Sequence, residues 1–159
     1  MKLYFLRHAK SSWDDHHLDD FKRPLSDRGL RNSLMLNTFL KSEKIFFDTV
    51  YSSSSVRTEI TCSVGLEGVF EFNKITFLDD LYHASAEFLK DFLSSKAQGE
   101  SVLIVGHNPG LSQIMSYLSK KDIYLRTCDL ICLESKQSDS KLTYNLCWSW
   151  NPKRGFIEN

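Results

Sequence analysis

LYFLRHAKSSW, residues 3–13, is the stretch that decides the fold of this chain. Its apolar run, residues 3–6, is typical of a strand that is buried on both faces, as in the interior of a parallel sheet. The run ends abruptly at Arg7 and His8. In open α/β sheets, ligands bind beyond the carboxyl ends of the strands. We therefore expect Arg7 and His8 to reach solvent and a ligand at that end.

Two further strands are predicted to end in polar clusters in the same way. Residues 101–105 are a short apolar run that leads into His107 and Asn108, before a helical pattern begins. Residues 48–52 predict another strand, which ends in a run of four serine residues, 52–55, before Arg57. Each cluster therefore falls at a turn between a strand and a helix.

These clusters are expected to converge. The carboxyl ends of parallel strands meet at one edge of a sheet, and the three motifs contain no acidic residue. The result is a compact cationic pocket suited to a phosphoryl group, formed by Arg7, His8, Arg57 and His107.

The remaining elements complete an alternation of strands and helices. Four helices are predicted. They cover residues 27–42, with Ser26 as N-cap, residues 56–66, residues from about 85 to Gly99, and residues 111–118. A short strand is predicted over 74–77, and two late strands, 129–134 and 142–148, are joined by the polar turn 137–140 into an antiparallel edge hairpin. We predict an α/β fold, a three-layer αβα sandwich around a mostly parallel sheet with an antiparallel edge strand.

Composition narrows the class of protein. At 159 residues and 18.4 kDa, the chain is expected to form one domain over residues 1–159. A formal net charge of zero removes the case for nucleic-acid binding from bulk charge. With neither a signal-peptide pattern nor a long apolar span, we expect no membrane association and a cytoplasmic location.

The sequence favours neither a bound metal ion nor disulfide bonds. The four cysteines, Cys62, Cys128, Cys132 and Cys147, have no CxxC spacing and are interpreted as buried free thiols in a reducing compartment. The acidic and histidine residues of the segment 14–20 lack a third spaced ligand, so we interpret that segment as a solvated loop. No metal and no cofactor is predicted.

The pocket residues suit phosphoryl transfer, which depends on an in-line nucleophile and on positive charge around the equatorial oxygens. A neutral histidine has a free ring nitrogen that can attack phosphorus. Arginine side chains match phosphate oxygens, and His107 adds a donor. Asn108 as N-cap and Pro109 at the first helical position would aim backbone N–H groups at the same anion.

Four motifs carry a family resemblance. The sequence resembles the histidine phosphatase superfamily, with its phosphoglycerate-mutase-like fold, and within it the short SixA-type phosphohistidine phosphatases. Residues 6–13 are similar to the R-H-G signature with its following Ser/Thr and Trp, and 24–29 to P-L-T-x-x-G. Residues 52–58 are similar to S-S-P-x-x-R-T/A, and 105–111 to V-G-H-N-P-G-L.

The resemblance implies roles for individual residues. His8 would be the phosphorylated nucleophile, with Arg7, Arg57 and His107 as its phosphate pocket, and Ser11 and Asn108 are candidate substrate-binding residues. Ala9 replaces the family's usual glycine. The turn after His8 would accept the Cβ of alanine if φ at this position is negative. The family's general acid has no clear counterpart; Asp80 is the first candidate and Asp79 the second.

Three functions are weighed. The first is a metal-independent phosphatase acting through a phosphohistidine intermediate, whose substrate is phosphohistidine on a protein such as a phosphorelay or phosphotransfer protein. Only residues 58–106 separate Arg57 from His107, which leaves little room for an insertion that encloses a substrate. The second is a small-molecule phosphomonoesterase or mutase, and the third is a non-catalytic module that binds phosphoproteins. The third is disfavoured because His8 and both arginines are present.

Overall fold

In the computed structural model, which describes residues 1–136 and 143–159, the strands form one seven-stranded mixed sheet. The strands are β1 (Lys2–Arg7), β2 (Thr49–Ser53), β3 (Thr76–Leu78), β4 (Ser101–Gly106), β5 (Leu130–Lys136), β6 (Thr143–Asn151) and β7 (Gly155–Glu158). The helices are α1 (Asp27–Ser42), α2 (Val56–Gly65), α3 (Ala86–Ser95) and α4 (Gly110–Ser119). Short 3-10 turns lie at Asp20–Lys22, Phe72–Lys74 and Asp79–Leu81.

The strand order is β3-β2-β4-β1-β5-β6-β7. The first four strands in this order are mutually parallel, while β5, β6 and β7 each pair antiparallel with their neighbour. The α/β prediction is confirmed. The antiparallel part is wider than a single edge hairpin, because β5 pairs directly with β1 and the sequence analysis missed β7. The predicted turn 137–140 lies outside the described residues.

The helices cover both faces of the sheet. On one face, α1 and α2 pack over Tyr4, Leu6 and Leu103, and on the other α3 and α4 pack over Phe5 and Ile104. Successive side chains of a strand point to opposite faces, so a strand covered on both sides must be apolar at every position. This is the reason that residues 3–6 have no polar position.

Local sequence signals set the ends of two helices. The Ser26 Oγ accepts a hydrogen bond from the Gly29 N–H at the start of α1, and the Ser85 Oγ accepts one from the Phe88 N–H at the start of α3. These bonds satisfy N–H groups that have no partner within the helix. Within the described residues, no helix is both long and apolar enough to cross a membrane.

A close backbone approach joins α4 to the loop after β3. A Cβ built on Gly110 would lie 1.9 Å from the Ala84 carbonyl oxygen, so only glycine fits there. The contact holds the loop that carries residues 82–84 against the start of α4, beside His107. A side chain at Gly110 would therefore displace part of the polar edge.

We predict that Gly110→Ala destabilises the protein by about 1–3 kcal/mol or more, because backbone atoms must move to admit the methyl group. Urea unfolding followed by tryptophan fluorescence would measure the loss. Gly106→Ala is the matched control, since its Cβ would meet Leu111 at an ordinary 3.7 Å. Equal stability of the two variants would contradict the close approach.

Candidate active site

The predicted polar residues meet in one small cavity beyond the carboxyl ends of β1, β2 and β4. The cavity has a volume of about 200 Å³. It is lined by Arg7, His8, Lys10, Ser11, Trp13, Asp20, Arg23, Arg57, His83, His107, Asn108 and Thr127. The convergence of Arg7, His8, Arg57 and His107 agrees with the expectation from the strand ends.

His8 is held as a neutral side chain with one nitrogen free. It is 7% exposed, and its Nδ1 lies 2.7 Å from the Ala9 carbonyl oxygen, which fixes the proton on Nδ1. Nε2 is then unprotonated and faces the Arg57 Nε at 3.4 Å. Burial, followed by the charges of Arg57 and Arg7, lowers the pKa of His8 to about 3.

His107 is neutral for the same reasons and has the opposite tautomer. Its Nε2 lies 2.9 Å from the Ser53 Oγ, and its Nδ1 lies 3.4 Å from the Arg57 Nη2. Because a guanidinium can only donate, Nδ1 accepts and Nε2 carries the proton. Burial, His8 and Arg57 lower the pKa of His107 to about 2.

The two predicted arginines differ in their hydrogen-bond partners. Arg57 is 3% exposed and donates to the Asp20 backbone oxygen and, at 2.7 Å, to the Asp20 Oδ2. Arg7 donates to the Leu125 carbonyl at 2.9 Å, while its buried Nε has no hydrogen-bond partner among the described residues. A buried donor without a partner is costly, so this atom is suited to an anion.

Asp20 corrects the prediction of a solvated loop over residues 14–20. Its carboxylate accepts from Arg57, from the Tyr82 hydroxyl at 2.6 Å and from the Arg23 Nη1 at 3.0 Å. Burial alone would raise the pKa of Asp20, but hydrogen bonds from Tyr82, Arg57 and His83 outweigh burial and hold that pKa well below its usual range. The carboxylate is therefore ionised at neutral pH and occupies donors that would suit a phosphate.

Arg23 is a third arginine that lines the cavity, and it was not among the residues predicted from the sequence. It donates to the Ser11 Oγ at 2.9 Å and to the Ser12 carbonyl, and its guanidinium lies 3.3 Å from the centroid of the Trp13 ring. Trp13 itself is 59% exposed at the mouth of the cavity. The sequence signal was present, because Arg23 directly precedes the P-L motif and follows Asp20 by three residues.

Tyr82 and His83 were also missed. They lie beyond β3, a parallel neighbour of β2, but Asp79 and Asp80 directly follow that strand and separate them from its end. The strand predicted over residues 74–77 is shifted from the observed β3, and Asp79 and Asp80 were predicted as the candidates in this segment. Burial and the bonded Asp20 carboxylate raise the pKa of Tyr82.

The structure does not bring Asp80 or Asp79 to the cavity. Both are exposed in the 3-10 turn Asp79–Leu81, where Asp79 accepts a hydrogen bond from the Ser54 hydroxyl. Asn108 lines the cavity, but it is not the N-cap of α4: its side chain donates to the Leu125 carbonyl and accepts from the Ser112 hydroxyl. Ser11 lines the cavity while bonded to Arg23.

The described part of the chain contains neither a cluster of metal-binding side chains nor a disulfide bond. Residues 1–136 and 143–159 contain no group of three or more His, Cys, Asp or Glu side chains that could hold a metal ion. The four cysteines, all described, are free thiols. Cys128 lies in the turn before β5 with a φ of 63°.

The fold and this cavity define a class. The chain has the fold of the histidine phosphatase superfamily, and the motif resemblance is confirmed at the level of the fold. A SixA phosphohistidine phosphatase candidate from Agrobacterium tumefaciens is 22% identical with a TM-score of 0.79, and the alignment covers 99% of this chain and 97% of that one. A protein histidine phosphatase SixA complexed with tungstate is 20% identical with a TM-score of 0.81, over 96% and 98% of the two chains.

The same fold includes phosphatases with other substrates in their names. The alpha-ribazole phosphatase from Shigella flexneri is 17% identical with a TM-score of 0.71, over 100% of both chains. In sequence, the chain is 31% identical over 145 residues to an uncharacterized chloroplastic protein of Arabidopsis thaliana, covering 84% of this chain and 66% of the relative. The chain thus spans about two thirds of that relative's length. No family model matches the sequence.

The two neutral histidines predict a specific response to acid. Their pKa values in the folded protein lie below the ordinary value near 6.5, so below about pH 6.5 the unfolded chain binds protons that the folded protein does not. Stability is then lost as the pH falls from about 6.5 towards 3. At pH 5 the loss is roughly 2 kcal/mol for each histidine relative to pH 7.

Urea unfolding at pH 7 and pH 5 checks this dependence. His107→Gln should remove about half of the difference between the two pH values, whatever its effect on stability at pH 7. His16→Gln, which removes an exposed histidine outside the cavity, should keep the full difference. A wild-type protein as stable at pH 5 as at pH 7 would show that the histidines are not held neutral.

Proposed function

We propose that the protein is a metal-independent phosphatase that forms a phosphohistidine intermediate on His8, and that its substrate is phosphohistidine on a protein. The observation that carries the proposal is the His8 Nε2, unprotonated and held beside Arg57 in a cavity that three arginines line. An arrangement of a fixed nucleophile and fixed positive charge is what phosphoryl transfer needs.

The first chemical step follows from the tautomer of His8. The Nε2 lone pair attacks phosphorus, the bond from phosphorus to the leaving group breaks, and Nδ1 keeps its proton and its bond to the Ala9 carbonyl. Positive charge for the equatorial oxygens comes from Arg57 and Arg7, while the His107 Nε2–H is donated to the Ser53 hydroxyl and holds that ring in place. For a phosphoryl group to take these donors, it must displace the Asp20 carboxylate from Arg57.

The segment between Arg57 and His107 favours a protein substrate, because it leaves the cavity open. Residues 58–106, all described, form the rest of α2, β3, α3, β4 and two short 3-10 turns, and none of them is an insertion that closes over the cavity. The exposed Trp13 stands at its mouth. A side chain presented by another protein can therefore reach His8. The SixA neighbours support the same substrate class by their names.

A small-molecule phosphomonoester is the second candidate, favoured by the full-length match to the alpha-ribazole phosphatase. A non-catalytic binding module is disfavoured by the retained nucleophile. The partner protein is proposed by class alone, as a phosphorelay or phosphotransfer protein. Location also stays a prediction: free thiols favour the cytoplasm, whereas the relative from Arabidopsis thaliana is named as chloroplastic.

Substitution of the nucleophile tests the proposal directly. His8→Ala should abolish turnover of a phosphohistidine peptide, and mass spectrometry of acid-free quenched wild-type protein should find phosphate on His8. His16→Ala is the matched control and should keep wild-type activity and phosphorylation. Full activity of His8→Ala would refute the mechanism, and a wild type active only on small phosphomonoesters would select the second candidate.

Independence from metal is tested separately. Arginine side chains already supply the positive charge that a divalent ion would bring, so we expect EDTA to leave kcat/KM unchanged. Tungstate or vanadate, which can imitate five-coordinate phosphorus, should inhibit in competition with substrate. Activity lost on chelation and restored by Mg²⁺ would contradict this part of the proposal.

A further inference from the structure

His83 lies in the cavity without a part in the chemistry described so far. It lines the same cavity as His8, and its side chain is 49% exposed. Its Nε2 is 3.3 Å from the Asp20 Oδ2, the oxygen that also accepts from Tyr82 and Arg57. The His107 ring centroid lies 4.9 Å from that of His83 and 5.0 Å from that of His8.

The groups that face His83 come from each neighbouring element. Asp20 faces it from the 3-10 turn Asp20–Lys22, Tyr82 from the preceding position with ring centroids 4.3 Å apart, and His107 from the end of β4. Arg57 of α2 meets the same Asp20 oxygen. A carboxylate within hydrogen-bond distance of an imidazole nitrogen fixes the orientation of the ring.

The other cavity groups are poor proton donors near neutral pH. His8 and His107 are kept neutral by burial and the nearby arginines, and Asp20 is kept ionised. The pKa of Tyr82 is raised. Lysine and arginine side chains keep their protons at neutral pH. The exposed Asp79 and Asp80 lie outside the cavity.

We propose that His83, oriented by Asp20, is the catalytic proton donor and acceptor of this site, in place of the carboxylic acid that the resemblance implied. The inference rests on the proposed phosphatase function and deepens it by naming the group that handles the proton. Histidine donates and accepts protons near neutral pH, which suits both halves of the reaction.

Protons and electron pairs balance over the two steps. In the first, the His8 Nε2–phosphorus bond forms, the leaving atom departs with its bonding pair, and it takes the proton from protonated His83. In the second, water attacks phosphorus, His83 takes the proton of that water, and the phosphorus–nitrogen pair returns to Nε2. His8 is again neutral with its proton on Nδ1, His83 is again protonated, and inorganic phosphate leaves.

The experiment compares leaving groups of different basicity. His83 has a φ of 51°, a conformation that asparagine tolerates well, so His83→Asn is the variant of choice. The substrates are an aliphatic phosphomonoester, 4-nitrophenyl phosphate and a phosphohistidine peptide. kcat/KM is used because it reports the transfer to His8. The matched control is His16→Asn, and Asp80→Asn tests the competing acid.

A proton donor matters most for the most basic leaving group. We expect His83→Asn to lower kcat/KM about 10²-fold for the aliphatic ester, less than about 3-fold for the nitrophenyl ester, and less than about 10-fold for the phosphohistidine peptide. The fall in kcat/KM of the wild type at alkaline pH, measured with the aliphatic ester, should disappear in the variant. His16→Asn should behave as wild type.

The outcomes separate this inference from the proposed function. Equal losses on all three substrates would give His83 a structural role and overturn the inference alone, as would a leaving-group-dependent loss in Asp80→Asn but not in His83→Asn. Thermal unfolding of each variant identifies a failure to fold, and His83→Gln then repeats the comparison. A folded wild type that hydrolyses none of the substrates and carries no phosphate on His8 would overturn the proposed function, and the inference with it.

Discussion

The buried Arg57 guanidinium is the constraint on which the site depends. A charge that is removed from water must be paired and hydrogen-bonded, or its desolvation costs several kcal/mol. Arg57 is 3% exposed, and its charge is paired with the Asp20 carboxylate. The same guanidinium group also faces His8 and His107. One side chain of α2 therefore ties the loop after β1, the end of β1 and the end of β4 into a single polar cluster.

Asp20 connects that cluster to the rest of the edge. Its carboxylate and backbone oxygens accept hydrogen bonds from Arg57 of α2, from Arg23 and from the loop after β3. An ionised carboxylate with several donors resembles a bound phosphate in charge and in hydrogen bonding. Under the proposed function, Asp20 and a phosphoryl group would compete for Arg57, and the segment carrying residues 19–22 would have to move when a substrate binds.

The electrostatics divide the site between two tasks. Burial and arginine charges keep His8 and His107 neutral, which gives one a free lone pair and the other a fixed N–H donor. The same environment removes both from proton transfer near neutral pH. Proton transfer then falls to a more exposed group, and His83 stands where the cavity meets solvent, beside the only carboxylate that lines the described cavity. In the proposed mechanism, the nucleophile and the proton donor therefore differ in their degree of burial.

The sequence alone determined the α/β class, the buried β1 and the convergence of Arg7, His8, Arg57 and His107, because apolar runs that end in polar residues are local signals and parallel strands end at a common edge. It could not place Asp20, Arg23, Tyr82 or His83 in the site, nor remove Asp80 from it. Asp20 meets Arg57 across 37 residues and Tyr82 across 62. Contacts of that range leave no periodic trace in the chain, and burial, which sets the charge of each group, is decided by the packed structure.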